Sequence, residues 1–531
     1  MKGFVFKHKN ALLLILSGFL TALPLIVTEL GFLQWVSVTI AAWVLLSLTE
    51  NREIRLRRLY GMGVLFFSVY YATAFHWFFY MYPLDFAGLS NAESLAVVIL
   101  ACFGIGIFQG SQSGLVFLLF GKISRGRLAS KYKILMPFIA ASLWVTFEWW
   151  QTVGWWGVPW ARLPLGQIDA PLVVRSISLF GSYFVTFVIV SVAFCFALAL
   201  RQKKNEKLFA YVALGIFCVN LALGFAVTLT YNEGGEPVKV AALQGNISSS
   251  DKWDSDSAER MLNIYNDLTE KAADEGAEIV VWPETALPYV LFDSDVLVEF
   301  VSDLARDNEV TILVSAFTVD EESEQRYNSV IEVRPDGSFG ETVYSKQRLV
   351  PFGEFVPMRE FVTFIFPPLA NIGILEDDLL AGSESVVIDS ESGRIGCALC
   401  FDSIYENVIA DSVRNGAEII AISTNDSWFS DSAALDMHNA QARLRAMESG
   451  RYVVRSANTG ISSVIDPMGN VVKELGALER GYVVSDVSLR DQSTLYTVIG
   501  NLFVYLCVAF CVLTAFIGLL DKGNMNFIKK Y

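Results

Sequence analysis

Histidine is scarce in this chain, with three in 531 residues. Only one of them, His438, falls in the polar half, and no His, Cys and carboxylate cluster has metal-ligand spacing. Neither a metal nor another cofactor is therefore expected. Cysteine is thinly spread as well. Of the seven, Cys102, Cys195, Cys218, Cys507 and Cys511 lie in apolar runs as packing residues. That leaves Cys397 and Cys400, which excludes a disulfide framework. Basic charge is short too: 40 Lys and Arg stand against 55 Asp and Glu, a net charge of −15. Nucleic acid is excluded as a partner on that ground. There is no internal repeat and no low-complexity tract.

What the chain has is apolar length. Hydrophobic residues make up 53% of it, and the mean hydropathy is +0.44. At this size more than one domain is expected, one of them in a membrane. Apolar runs near 11–28, 32–49, 60–80, 94–120, 134–151, 176–200, 208–230 and 496–520 are each close to the length of a bilayer crossing. About eight transmembrane helices are expected, the first two forming a hairpin. Basic residues alternate between the connections. Lys2, Lys7 and Lys9 precede the first run, and Arg52, Arg55, Arg57 and Arg58 follow the second. Lys122 to Lys133 follow the fourth, Arg201 to Lys207 the sixth and Lys522 to Lys530 the last, whereas 81–93 holds no Lys or Arg. Both termini are thus expected in the cytoplasm and 231–494 outside it. Three parts follow: 1–230 as a seven-span membrane domain, 231–494 as an external domain, and 495–531 as a last span with a cytoplasmic tail. The stretch 144–160 holds half of the Trp residues and reads as an external, interfacial connection. Glu148 within it requires water or a partner.

From Val238 the pattern changes to short strands alternating with amphipathic helices. Strands are expected at 238–243, 278–282, 311–317, 418–423, 452–456, 461–466 and 482–487, with two further strand pairs turning at Asp336-Gly337 and Ser392-Gly393. Helices are expected at 257–275, 296–308, 404–415 and 435–449. This is an α/β domain large enough for its own core.

Three segments stand at strand ends. Val280-Val281-Trp282-Pro283-Glu284 ends one strand in a carboxylate. Lys346 and Glu354 sit in Lys346-Gln347-Arg348-Leu349-Val350-Pro351-Phe352-Gly353-Glu354. The apolar strand 395–399 breaks at Cys400 into Phe401-Asp402 and a helix start, a corner expected to favour a thiolate and to offer oxyanion donors. Any one of these residues alone reads as core or surface. Together they supply a proton acceptor, an oxyanion donor and a nucleophile. His438 falls in a helix pattern, where a structural role is expected over a Cys–His dyad.

These segments resemble the Glu-Lys-Cys motifs of the nitrilase (carbon–nitrogen hydrolase) superfamily, whose fold is an α-β-β-α sandwich. With the multi-span arm, the whole chain resembles the apolipoprotein N-acyltransferases. Leu243-Gln244-Gly245-Asn246-Ile247, Lys252-Trp253, Thr424-Asn425-Asp426, Arg445-Ala446-Met447-Glu448 and Arg455-Ser456-Ala457-Asn458 also match. The resemblance implies Glu284 as general base, Lys346 as the triad lysine, Cys400 as nucleophile and Glu354 as supporting acid. Phe401 and Asp402 stand where that family commonly has Tyr-Glu, so the hydroxyl is lost and the carboxylate is shorter. The implied reaction moves an acyl chain from a phospholipid, phosphatidylethanolamine by expectation, through a Cys400 thioester. The implied acceptor is the α-amine of a diacylglyceryl-cysteine at an apolipoprotein N-terminus. A monomer in the inner membrane of a bacterium is implied as well.

Other readings share some of these residues. A tethered amidase would use water as acceptor, a redox protein would use Cys397 and Cys400, and a transporter would carry ionisable groups within its spans. The apolar stretch 361–369 favours lipid chemistry, as a lid that admits acyl chains.

Overall fold

The computed structural model describes residues 2–84, 89–201, 205–248, 252, 257–365 and 378–528. The chain forms two compact units. One comprises Met1–Phe79, Val97–Thr230 and Ile499–Tyr531, the other Tyr80–Ala96 and Tyr231–Val498.

The first unit is helical. Helices occupy all eight expected segments: Lys2–Ile26, Phe32–Glu50, Leu56–Ala74, Asn91–Ile99 continued by Ile105–Ser113 and Leu115–Ser124, Leu135–Trp150, Ser182–Arg201, Glu206–Thr230 and Leu502–Ile528. Among the described residues five stretches, His8–Ile26, Phe32–Glu50, Asn91–Ser124, Ser182–Arg201 and Glu206–Thr230, are long and apolar enough to cross a membrane. Some polar side chains of these helices pair across the apolar surround. Ser17 donates to the Ser37 carbonyl at 2.6 Å and Thr21 to the Ser37 hydroxyl at 2.8 Å, which joins the first two helices. Glu148 is buried and accepts from the Thr186 hydroxyl at 2.6 Å and the Leu163 N–H at 3.3 Å. The Trp-rich stretch divides between surface and core, with Trp150 and Trp155 exposed as expected of an interfacial belt. The helix Leu135–Trp150 runs through its first half, and Trp144 is buried with its ring 4.9 Å from Phe67, so this ring is core and not interface.

Among the described residues the second unit has twelve strands: β1 (Pro237–Gln244), β2 (Ile279–Val281), β3 (Thr311–Val319), β4 (Arg326–Val333), β5 (Phe339–Ser345), β6 (Val387–Ser390), β7 (Gly393–Leu399), β8 (Ile419–Thr424), β9 (Val453–Ala457), β10 (Ser462–Ile465), β11 (Val471–Leu475) and β12 (Gly481–Ser488). They make two six-stranded sheets, ordered β12-β1-β2-β3-β4-β5 and β11-β10-β9-β8-β7-β6. In each sheet the strands followed by helical crossovers pair in parallel: β1 with β2, β2 with β3, β7 with β8, and β8 with β9.

Side-chain alternation along the strands builds the layers. Val240, Ala242, Ile279, Val281 and Leu313 of one sheet meet Ile395, Cys397, Leu399, Ile419 and Val454 of the other. Outward residues such as Ala241, Val280 and Ile312 pack under the helices Ala258–Asp274 and Asp295–Asn308. Ala398, Ile420 and Ile422 pack under Glu406–Arg414 and Ala434–Ser449. The result is an α-β-β-α sandwich. The C-terminal ends of β2 and β7 carry the chain straight into Trp282-Pro283-Glu284 and Cys400.

Trp282 anchors the first of these exits. It is fully buried, stacks on Tyr265 at 4.8 Å and donates from Nε1 to Thr269 at 3.2 Å. Trp282→Ala is expected to cost about 3–5 kcal/mol and to lower the thermal midpoint of the detergent-solubilised full chain, read by near-UV circular dichroism. An unchanged midpoint would remove Trp282 from the core account.

Candidate active site

Lys346 follows β5 and is 1% exposed, yet it is an ammonium. It donates to Glu284 Oε1 at 2.7 Å and to Glu354 Oε1 at 2.8 Å. Burial works to lower its pKa, but the two carboxylates and the neighbouring Cys400 outweigh burial and hold it well above the ordinary lysine value. Glu284 is enclosed by donors. Asn328 of β4 reaches Oε1 at 2.9 Å, and the Asn425 N–H, just past β8, reaches Oε2 at 3.0 Å. The Glu284 carbonyl also accepts from Lys252 Nζ at 2.7 Å. Glu354 is fixed in turn by the Val350 N–H at 2.8 Å and by Asn328 at 3.3 Å.

Cys400 opens a 3-10 turn, Cys400–Ile404, directly after β7, with φ at +46°. This left-handed backbone is rare for a residue with a Cβ, and it turns the chain sharply out of the sheet. The thiol is hydrogen-bonded with Thr424 and lies in the fields of Glu284, Lys346 and Asp426. The expected resident thiolate is not what the structure gives. Burial and the Glu284 charge push the Cys400 thiol up, and Lys346 only partly opposes them. The corner leads into a short 3-10 turn, and the next α-helix starts only at Glu406. Cys397, one strand turn earlier, is enclosed between the sheets, and burial pushes its thiol up to about 12. Geometry therefore separates the two cysteines as the alternation along β7 predicts.

Asp402 has a role the residues alone did not reveal. It is fully buried and accepts from the Arg348 N–H at 2.7 Å, the Tyr344 hydroxyl at 2.8 Å and the Leu399 N–H at 3.2 Å. One carboxylate thus ties the loop after Lys346 to the corner that carries Cys400. Burial raises its pKa to about 6, although Lys346 and these donors pull the other way. Phe401 packs edge-on against Tyr405 at 5.4 Å.

His438 lies in the helix Ala434–Ser449, as expected. Its Nδ1 is 2.8 Å from Asp426, and its Nε2 is 3.0 Å from the Ser403 hydroxyl and 3.3 Å from the Cys400 carbonyl. It holds the Cys400 backbone. Asp426 also accepts from Arg455 at 2.6 Å and from Thr424 at 2.9 Å. Burial acts to raise the Asp426 carboxyl, but Arg455 and His438 overrule it and keep it well below the usual carboxylate range. Cys400, Asp426 and His438 bring ligand-type atoms within 4.8 Å of one another. A metal ion there would meet the Arg455 guanidinium already seated on Asp426, so the set is organised as ion pairs. The residues alone assign no role to Lys252 or Asn328. Asn328 carries a weak signal, a polar residue inside the apolar strand β4, whereas Lys252 was visible only as part of a matching segment.

The stretch 361–369 falls partly in view. Arg359–Ile365 is a short helix with Phe361 and Phe364 exposed, at 58% and 85%, while 366–369 lies outside the described residues. The base of this helix is held by an Arg359–Asp378 ion pair.

A carboxylate, an ammonium and a thiol gathered at the strand ends of an α-β-β-α sandwich define a carbon–nitrogen hydrolase domain, and the model of that family matches residues 239–495. The model described as the apolipoprotein N-acyltransferase N-terminal domain matches residues 17–195. Apolipoprotein N-acyltransferase of Geobacter metallireducens is 31% identical over 72% of this chain and 74% of its own. That of Gloeobacter violaceus is 28% identical over 95% of this chain and 93% of its own. Among solved structures, Saccharomyces cerevisiae Nit3 of the nitrilase superfamily has 20% identity over 51% of this chain and 95% of its own, with a TM-score of 0.38. The chain belongs to the apolipoprotein N-acyltransferase family.

The Asp402 geometry has a pH signature. Its folded pKa is raised, so the stability it contributes is full below the unfolded value near 4 and is lost as pH rises through about 6. The thermal midpoint of the wild type relative to Asp402→Asn is expected to rise between about pH 7.5 and about pH 5. A difference that is flat across this window would contradict the buried, raised carboxyl.

Proposed function

We propose that this chain transfers an acyl group from a glycerophospholipid to the α-amine of a diacylglyceryl-cysteine at an apolipoprotein N-terminus. The observation that carries this reading is the Glu284–Lys346–Cys400 cluster in a chain of this family. Glu284 takes the proton of Cys400 as sulfur attacks the acyl carbonyl carbon. The oxyanion develops beside Lys346, which has one N–H left after Glu284 and Glu354 take two. The tetrahedral adduct then collapses, the glyceryl oxygen takes the proton back from Glu284, and a lysophospholipid leaves a thioester on Cys400. The incoming amine attacks that thioester and gives its proton through Glu284 to the departing sulfur. The amide and the free thiol are restored together. Because the thiol is uncharged before attack, proton transfer and bond formation have to be coupled.

Phosphatidylethanolamine as donor and a monomeric enzyme complete the proposal. Eight spans, with both termini cytoplasmic and 231–494 on the outer side of the inner membrane, follow from the alternation of basic loops. The domain division 1–230, 231–494 and 495–531 follows from it too. Both substrates would stay lipid-anchored at one leaflet, and the exposed Phe361 and Phe364 suit contact with acyl chains.

Transfer from phospholipid vesicles to a diacylglyceryl peptide, followed by mass spectrometry, tests the assignment. Cys400→Ala is expected to abolish product, while Cys397→Ala keeps most of it. Lys346→Arg is expected to lower turnover by about 100-fold or more, since a planar guanidinium cannot sit between two carboxylates and an oxyanion as an ammonium does. Equal loss in both cysteine variants, with both folded, would favour redox chemistry. Release of free fatty acid in place of the amide would favour a hydrolase.

A further inference from the structure

We infer that Arg348 is the donor-specificity residue: its guanidinium reads the phosphodiester of the phospholipid that acylates Cys400. The inference rests on the phospholipid donor proposed above. Arg348 lies two residues past Lys346, so their Cα atoms are at most ~7 Å apart. Its N–H is pinned by Asp402 at 2.7 Å, which fixes the backbone of the loop against the Cys400 corner. Its guanidinium carbon sits 5.0 Å over the ring of Tyr405, the residue that ends the same corner.

The ring orients this guanidinium, and no anion among the described residues neutralises it. Several other arginines of the domain sit on carboxylates, Arg455 on Asp426, Arg359 on Asp378 and Arg334 on Glu332, and Arg451, Arg480 and Arg490 donate to backbone carbonyls. Arg348 makes no ion pair and no side-chain hydrogen bond among the described residues, and its Nε is enclosed without an acceptor. In a chain with 55 acidic residues against 40 basic ones, an unneutralised, half-buried cation beside the reactive groups is costly. A planar fork already stacked on an aromatic face matches the geometry of a phosphate oxygen pair.

Chemistry narrows the choice of anion. In a glycerophospholipid only the glycerol separates the phosphodiester from the ester carbonyl that Cys400 attacks. The diacylglyceryl-cysteine acceptor has no phosphate. Arg348 therefore acts on the first half-reaction alone, and it lets one pocket tell donor from acceptor. The lysophospholipid carries the same phosphodiester away when it leaves, so the acceptor meets a site without its anion.

The test uses the full chain in detergent micelles and follows thioester formation by quenched-flow mass spectrometry. The donors compared are a phosphatidylethanolamine, a phosphatidylglycerol and a p-nitrophenyl acyl ester that has no phosphate. Arg348→Met is expected to lower kcat/KM for either phospholipid about 10–100-fold, chiefly through KM, and to leave the p-nitrophenyl ester rate within about two-fold. Arg348→Lys should recover part of the loss. Transfer from a preformed thioester to the diacylglyceryl peptide should be unchanged. Equal losses with all three donors, or an unaltered phospholipid rate, would overturn the assignment. If the wild type forms no thioester from any phospholipid, the donor reading fails first and takes this one with it. If the wild type and Arg348→Met form it equally, only the role of Arg348 falls.

Discussion

A single ammonium enclosed between two carboxylates sets the terms for the rest of the domain. Lys346 is 1% exposed, and its charge survives there only because Glu284 and Glu354 both accept from it. A buried ion pair stripped of one member is strongly destabilising, so each carboxylate needs its own fixed donors. Asn328 serves both, the Asn425 N–H serves Glu284, and the Val350 N–H serves Glu354. These donors come from β4, from the end of β8 and from the loop after β5. The charged group therefore depends on two sheets holding their register against each other.

The thiol enters this arrangement without a charge of its own. Two carboxylates beside one lysine leave the pocket with excess negative potential, and a thiolate would add to it. The second lysine, Lys252, is no simple remedy, because burial lowers it to about 7 despite Glu284 and Cys400. The fold instead spends its remaining polar groups on placing the sulfur. Asp402 ties the Cys400 corner to the Lys346 loop, and His438 and Ser403 hold the Cys400 carbonyl. Asp426, fixed by Arg455, orients His438. Position is settled in advance, and proton removal waits for an electrophile.

Much of this was legible in the residues. The alternation along β7 separated Cys397 from Cys400, and the strand-end positions of Glu284 and Lys346 predicted that they would meet. Periodicity placed the helices Ala258–Asp274, Asp295–Asn308 and Glu406–Arg414 to within about two residues, because each buries one stripe against a sheet. The short strand β11 was not anticipated, since Val471–Leu475 has an exposed centre and no apolar face to betray it. The protonation state of Cys400 was also out of reach. It depends on the joint field of Glu284, Lys346 and Asp426, which lie far apart in the chain. Asp402 was legible as a substitution and not as a tie, because its donors come from residues 344, 347, 348 and 399. Which rings of the Trp-rich stretch leave the interface for the core was hidden for a related reason. Trp suits both an interface and a core, and only the helix Leu135–Trp150 decides which ring goes where.

The most direct test of this account is the pH dependence of Cys400 alkylation in the substrate-free enzyme. The Cys397→Ala background removes the other thiol of the domain, and peptide mass spectrometry identifies the labelled site. An uncharged thiol next to Glu284 predicts an iodoacetamide rate that keeps climbing through the alkaline range with no plateau near neutrality. A rate already level at about pH 7 would mean a resident thiolate. That result would contradict the central claim that Cys400 is deprotonated by Glu284 only as it attacks.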